Sequence, residues 1–210
     1  MGAAPPSVDA DVARYRHGRV PRAVRERQVL AAAERLFAEE GFAGASMDEL
    51  SRRVGVSKPV VYDVVGSKEA LYRRCVDRLA TELAERVAAA AASEHEPRRQ
   101  LHAGVLAFFR FVAERRRLWE ALALDPAPFA ADVAAIRTRQ DQLVAGLLAN
   151  AAGAASGGGS PRLAALAQAV NGGVEAMARW WHDHENVSAE DLTDWAVRLL
   201  MPGLEDLLTA

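Results

Sequence analysis

Apolar residues in this chain recur at spacings of three and four, and almost no stretch alternates with period two. A helix returns to the same face every 3.6 residues and a strand every second residue, so the pattern predicts an all-α fold. Long helices are expected over about 22–40, 68–92, 98–114, 128–149 and 161–184, with a short one at 118–124 and a last one opened by Ser188. The first should bury Val29, Leu30, Ala33, Leu36 and Phe37 and end at Gly41, while Pro202 and Gly203 should bend the last. The glycine-rich run at 153–159 reads as a flexible connection. No strand precedes it, and no Lys-Ser/Thr follows to make it a phosphate loop.

From Val54 to Leu71 the chain reads VGVSKPVVYDVVGSKEAL, where two helix starts ten residues apart each carry a Ser-Lys pair. Lys58 and Lys68 are the only lysines, and the other 24 basic residues are arginine. A lysine kept twice at a helix start points to a geometric task, most simply holding phosphate. Upstream, Ser46 with Glu49 three residues later forms a capping box that opens a short helix with Met47, Leu50 and Val54 on one face. Gly55 ends that helix, Gly55-Val56 turns the chain, and Ser57 is placed to cap a second short helix with Pro59 in its first turn. The order is that of a helix-turn-helix, although the turn alone would also fit an ordinary helical corner. In a helix-turn-helix the second helix enters the major groove, which turns Lys58, Pro59, Val60, Tyr62 and Asp63 toward DNA. Val56 and Val61 would lock the two helices together.

With GSKEALY after the turn and an amphipathic first helix ending in LFAEEGF before Ser46, the stretch 22–71 resembles the N-terminal domain of the tetracycline-repressor (TetR) family of bacterial transcription regulators. The resemblance implies backbone contacts to DNA from Ser46, Tyr62 and Lys68, and base or phosphate contacts from Lys58, Val60 and their neighbours Ser57 and Pro59. The sequence departs from the family at two places. Val64-Val65 stand where His-Phe is common, and Asp63 puts a negative charge where a neutral or basic residue is usual. Asp63 fits either a cytosine amino group or a role in disfavouring wrong sites.

Charge is distributed as DNA binding requires. From Arg14 to Arg74 there are 13 basic and 8 acidic residues, whereas from Cys75 onward there are 13 basic and 18 acidic. The stretch holding Arg14, Arg16, Arg19 and Arg22 is the densest and is rich in Pro and Gly, so residues 1–21 are expected to form a basic arm. Such an arm either reaches an adjacent minor groove or stays solvated. Residues 22–66 are then the DNA-binding domain and 67–210 a helical effector-binding and dimerisation domain. No charged n-region precedes an apolar stretch, and Arg110 breaks the most apolar run, so neither secretion nor membrane insertion is indicated and a cytoplasmic protein is expected. Lone Cys75 falls in the stripe Leu71, Cys75, Leu79, Leu83, Val87 and reads as a buried small hydrophobe before a redox sensor.

Two faces are expected on the helix after the glycine run. Leu163, Leu166, Val170, Val174, Met177 and Trp181 form a core stripe, and Ala165, Ala169, Gly172, Gly173 and Ala176 a small-residue stripe. Glycine in a helix costs about 1 kcal/mol against alanine, so the pair suggests close approach of another backbone, from the same chain or another. The resemblance implies another, a homodimer through the last two helices, with Trp180, Trp195 and Leu199 joining the interface. It also implies an operator of pseudo-palindromic double-stranded DNA and an apolar effector cavity in the C-terminal domain. Phe109, Trp119, Phe129, Gln140 and Met177, with His102, are the candidate lining, because Gln140 and His102 interrupt apolar faces where buried polar groups would need partners. The run His182-Asp183-His184-Glu185 points in several directions from a helix end, so no metal site is expected. No hydrolase, zinc-protease or nucleotide motif is present, and neither a cofactor nor catalysis is expected. The reading is a homodimeric repressor released by a mainly apolar small molecule. Its rival is a helical ligand-binding or adaptor protein of the same fold without useful DNA binding, with an all-α enzyme third.

Overall fold

The computed structural model describes residues 15, 20–120, 129–151, 160–184 and 186–209, and among the described residues there are nine helices and no strand. They are α1 (Arg22–Gly44), α2 (Met47–Val54), α3 (Lys58–Val65), α4 (Lys68–Ala92), α5 (Pro97–Glu114), α6 (Arg116–Trp119), α7 (Ala130–Ala151), α8 (Pro161–Trp181) and α9 (Ala189–Thr209). The all-α expectation holds. The chain divides into two compact units, one taking the described residues up to Arg78 with those between Arg117 and Ala127, the other Leu79–Arg116 and those from Pro128 onward. The glycine-rich run at 153–159 and the arm residues Arg14, Arg16 and Arg19 lie outside the described residues.

In the first unit α1 buries the five expected residues together with Val24 and Ala32. Gly41 takes φ 66° and ψ −179°, a conformation closed to residues with side chains, and so kinks α1 before a last turn that runs to Gly44. Phe37, Phe42 and Tyr72 form a cluster beside the kink, with Tyr72 edge-on to both rings at 5.2 and 5.0 Å. Full burial of a side chain such as Phe37 stabilises by about 1.5–3 kcal/mol. Burying Leu71, Tyr72 and Cys75 fixes the start of α4 in the same unit.

Helices α2 and α3 are eight residues each, too short to persist alone in water. Met47, Leu50 and Val54 of α2 and Val61 and Val65 of α3 are buried, and α1 packs against both. Gly55 ends α2 in the left-handed conformation (φ 73°, ψ 35°), and its N–H and that of Val56 both donate to the Ser51 carbonyl.

In the second unit α5 packs on α9 and α7 on α8, around a core that includes Leu148, Leu163, Ala167, Val170 and Leu204. Phe109 is buried edge-on to Trp181, 6.0 Å between ring centres. Three boundaries differ from the sequence reading. Helix α8 stops at Trp181 and not at 184, where the Trp181 indole N–H donates to the Val187 carbonyl at 2.8 Å and ties down the turn. The short helix expected at 118–124 is Arg116–Trp119, and 121–128 lies outside the described residues. Helix α7 runs from Ala130 to Ala151 where 128–149 was expected, and Pro202 sits inside α9 on its exposed side, where water can satisfy the carbonyl left without a partner. The Ser188 cap is present, its hydroxyl oxygen accepting from the Asp191 N–H at 3.0 Å while the Asp191 carboxylate accepts from Ser188.

Replacement of Gly55 by alanine should destabilise the fold by about 1–2 kcal/mol, purely through backbone strain, since an added Cβ meets nothing within 4 Å. A urea melt of the variant against the parent measures it, and an unchanged midpoint would show that the turn tolerates a side chain.

Candidate functional site

Helix α3 presents its open side through residues that its burial pattern leaves outside. Val61 and Val65 face inward, while Lys58, Pro59 and Asp63 are exposed and the large apolar Val60 and Tyr62 remain 40% and 39% exposed. Ser57 occupies the N-cap position, but its side chain makes no capping hydrogen bond, so the capping role expected for its hydroxyl is not realised. Ser46 does cap, its Oγ accepting from the Glu49 N–H at 3.1 Å. The other half of the expected capping box is missing because the Glu49 carboxylate turns to Arg53 at 2.8 Å and Arg52 at 2.5 Å. Those arginines, Arg53 by hydrogen bond first, hold the Glu49 carboxyl below its ordinary pKa.

The cations of this surface are already engaged. Lys58 Nζ lies 3.0 Å from the Asp48 carboxylate across the turn, which raises the lysine pKa first by hydrogen bond and then by charge. Arg22 donates to the Asp63 carbonyl at 3.0 Å and approaches its carboxylate at 3.8 Å. Arg74 donates to the Val64 carbonyl at 3.5 Å and is held by Glu26 of α1. The last carbonyls of α3, which no helical N–H can reach, are thus met by two arginines. Gln28 does the same for Val54 of α2 at 3.4 Å. Lys68 donates to the Ala43 carbonyl at 3.4 Å and stands 4.6 Å from the centre of the Phe42 ring. Asp48, Gln28 and Arg74 carried no signal in the sequence, because their partners lie 10 to 26 positions away with no local spacing.

The second unit has a partly open cavity of about 110 Å³ between α4, α5, α7 and α8. Its walls include Leu83, Val87, Val105, Phe108, Leu147 and Val170, and its polar lining is Gln100, Gln140, Asn171 and Glu175. Of the residues nominated from the sequence, Gln140 lines it. Phe109 and Phe129 are buried elsewhere, Met177 is half-buried on α8, and Trp119 is in α6. His102 is 44% exposed and lies 3.4 Å from Asp194, so the premise that it is a buried polar group fails. Asn171 and Glu175 were not nominated; they lie four apart on α8, on a face the sequence reading divided between two stripes.

One face of α8 and α9 stays open. Ala165, Ala169, Gly172 and Ala176 are exposed and Gly173 half-buried, and Trp180, Trp195 and Leu199 are 44%, 48% and 75% exposed. A Cβ built on Gly172 or Gly173 meets nothing within 4 Å, so among the described residues no backbone makes the close approach that the glycine pair suggested. Trp180 stacks on His184 at 3.8 Å. Among the described residues no cluster of His, Cys, Asp or Glu could hold a metal, and Glu185 of the 182–185 run lies outside them.

Residues 29–75 match the family described as bacterial regulatory proteins, tetR family, and 97–203, half of the chain, match the tetracyclin repressor-like C-terminal domain. The chain belongs to the TetR family. This TetR-family chain is a transcription regulator with a DNA-binding helix-turn-helix, and not an enzyme. It is 40% identical over 97 residues to the HTH-type transcriptional activator FasR of Mycolicibacterium smegmatis, a match spanning 46% of this chain and 44% of that regulator. A TetR-like regulator from Rhodococcus sp. RHA1 shares 31% identity and a TM-score of 0.68 over 89% of this chain and 99% of its own. FadR of Bacillus subtilis, solved in complex with stearoyl-CoA, shares the fold with a TM-score of 0.70 at 17% identity, over 83% of this chain and 96% of its own. Among the described residues no helix is long and apolar enough to cross a membrane.

Cys75 is fully buried, and burial pushes its thiol far above the ordinary range, which leaves almost no thiolate to react. A thiol reagent at mildly alkaline pH should therefore modify the regulator only as fast as it unfolds, and rapidly in denaturant. Rapid modification of the native protein would restore the redox-sensor reading.

Proposed function

We propose that this regulator is a homodimeric repressor that reads a pseudo-palindromic operator through α3 and leaves it when a mainly apolar small molecule occupies the cavity beside α4. The observation that carries the reading is the capped α2–turn–α3 unit, whose outer side exposes Lys58, Val60, Tyr62 and Asp63 while Val61 and Val65 anchor it. Residues 22–66 make up the reading domain, with phosphate contacts from Ser46, Tyr62 and Lys68 and base-edge contacts from Lys58, Pro59, Val60 and Asp63 beside Ser57. Residues 67–210 bind effector and partner. Residues 1–21 form the basic arm. In Lys68 the ammonium already sits at the start of α4, the end of a helix that favours an anion.

Dimerisation is supported by the open face of α8 and α9, where Gly172, Gly173 and exposed alanines lie beside exposed Trp180, Trp195 and Leu199. Small residues let a second pair of helices approach closely, and the tryptophans supply area to bury. One recognition helix reads only a few base pairs, and a two-fold pair doubles the contacts at a fixed separation of about one turn, roughly 34–36 Å, or a related spacing. The cavity supports an effector, since its apolar walls include residues of α4. The stearoyl-CoA bound by FadR of B. subtilis supports a ligand with an apolar body. Such a ligand acts only by binding the released state more tightly than the operator-bound one.

Selection of bound fragments from random and genomic DNA by the purified chain should enrich one pseudo-palindrome, and affinity for it should fall steeply with salt. A folded dimer that enriches nothing would establish the adaptor reading instead. Lys68→Ala should weaken binding to all sequences alike and lower the salt slope by about one, while Lys58→Ala should change the sequence preferred. Leu199→Asp should yield monomers by sedimentation velocity and weaken operator binding by about 100-fold, because the second half-site is no longer held near the first. A dimer unaffected by that change would place the interface elsewhere. A reporter gene behind the selected operator reads the sign of the output.

A further inference from the structure

The polar groups of the cavity stand together because of how α7 and α8 pair. The two helices run antiparallel, with Arg137 Nη2 3.2 Å from Glu175 and the Asn171 side-chain N–H donating to Asp141 at 2.7 Å. Gln140 falls next to Asp141 and three positions after Arg137, so Gln140, Asn171 and Glu175 line one end of the cavity. Gln100 gives one N–H to the Glu94 carbonyl at 2.9 Å. Among the described lining residues there is no lysine, arginine or histidine.

Three acceptors are left over at that end, the side-chain carbonyls of Gln140 and Asn171 and the Glu175 carboxylate, beside the amide N–H groups of Gln140 and Asn171. Gln140 has no partner among the described residues, so its carbonyl and amino group are both available. Asn171 gives one N–H to Asp141 and keeps its second N–H and its carbonyl oxygen. Glu175 is only 15% exposed, and both of its arginine partners, Arg137 at 3.2 Å and Arg179 at 3.7 Å, reach the same oxygen, Oε2, which leaves Oε1 as an acceptor. Those arginines are about half exposed and satisfy Glu175 from outside the lining. A ligand carboxylate brought here would lose its water, meet a carboxylate, and find no lining cation, which is the costly case for a buried charge.

We infer that the effector is an uncharged molecule whose apolar body fills the cavity and whose polar end donates an N–H or O–H to the acceptors of Gln140, Asn171 and Glu175. A free acid is disfavoured, because its carboxylate would meet Glu175 with no lining cation to pair with. This rests on the cavity being the effector site, and it deepens that reading by giving the ligand's chemical class. The polar end acts as a filter: the amide of Gln140 adapts to a donor or an acceptor, whereas Glu175 rejects a negative charge.

Three ligands with the same chain separate the possibilities: decanamide, decanoate and decylammonium, each titrated calorimetrically into the full-length protein and then added to its complex with the selected operator. Decanamide should bind and release operator, with decanoate weaker by about tenfold or more. Glu175→Gln should raise decanoate affinity relative to decanamide and so narrow the gap between the two, and Gln140→Leu should weaken decanamide. Operator affinity without ligand reports that each variant is folded. Decanoate binding as tightly as decanamide in the parent, or decylammonium binding tightest of the three, would overturn the inference while leaving the cavity as the effector site. If none of the three binds although the operator is held, both the inference and the effector site fall, and DNA recognition stands.

Discussion

Two eight-residue helices cannot hold themselves together in water, and the first unit is organised around that weakness. Their apolar faces are sealed by α1, but burial alone does not deal with the carbonyls at their C-termini. Those are met by side chains from elsewhere: Gln28 of α1 on Val54, Arg22 of α1 on Asp63, and Arg74 of α4 on Val64. The same α1 therefore supplies the core and two of the three caps. Its own direction is set by the kink at Gly41, which returns the chain toward Ser46 and places Phe42 against Tyr72. A change that tilted α1 would disturb both short helices at once.

The second unit solves a different problem. Helices α8 and α9 each bury one side in the chain's own core, through residues such as Val170, Trp181, Leu192 and Ala196, and leave the other side apolar and uncovered. Two exposed tryptophans and a leucine on one face are more than chance exposure requires, while the glycine pair beside them has empty space above it. Helical glycine costs stability that nothing within this chain returns. The cost makes sense if a neighbour comes close enough to use the missing side chains. Beside the cavity Gly104 lets α5 lie against Val87 and Ala91 of α4.

Local features were legible in the sequence, and features that depend on distant partners were not. The Ser46 and Ser188 caps, the Gly55 turn and the buried face of α1 each depend on residues within a few positions, so spacing reveals them. Ser57 has the right identity for a cap, yet its side chain does not perform one, because identity does not fix a rotamer. His102 shares a helical face with apolar residues but lies at the edge of that face, beside Asp194 of another helix. Gln140 was readable as a polar break in an apolar stripe. Asn171 and Glu175 were not, because what brings them to Gln140 is the antiparallel pairing of α7 and α8, and no periodicity within either helix encodes the register between them.

The electrostatics of α3 add a constraint that composition conceals. The N-terminal half of the chain carries excess positive charge, yet Lys58 and Arg22, the cations nearest the exposed side of α3, are each already paired with a carboxylate. These pairs are exposed and individually weak, so they do little for stability. Their consequence lies in binding. A phosphate approaching Lys58 must replace Asp48, and one approaching Arg22 must replace Asp63, so each contact is an exchange of partners and its net gain is smaller than that of a free cation. The displaced carboxylates remain close to the duplex and are repelled by it unless they find a donor. For Asp63, on the exposed side of α3, the donor that DNA offers is the amino group of cytosine or adenine in the major groove. Any sequence presents phosphates, but only some present that amino group at the right position. On the proposed reading of α3, the carboxylates would thus subtract from binding to all DNA and return part of the loss only where the base fits, which would favour selectivity at the expense of affinity.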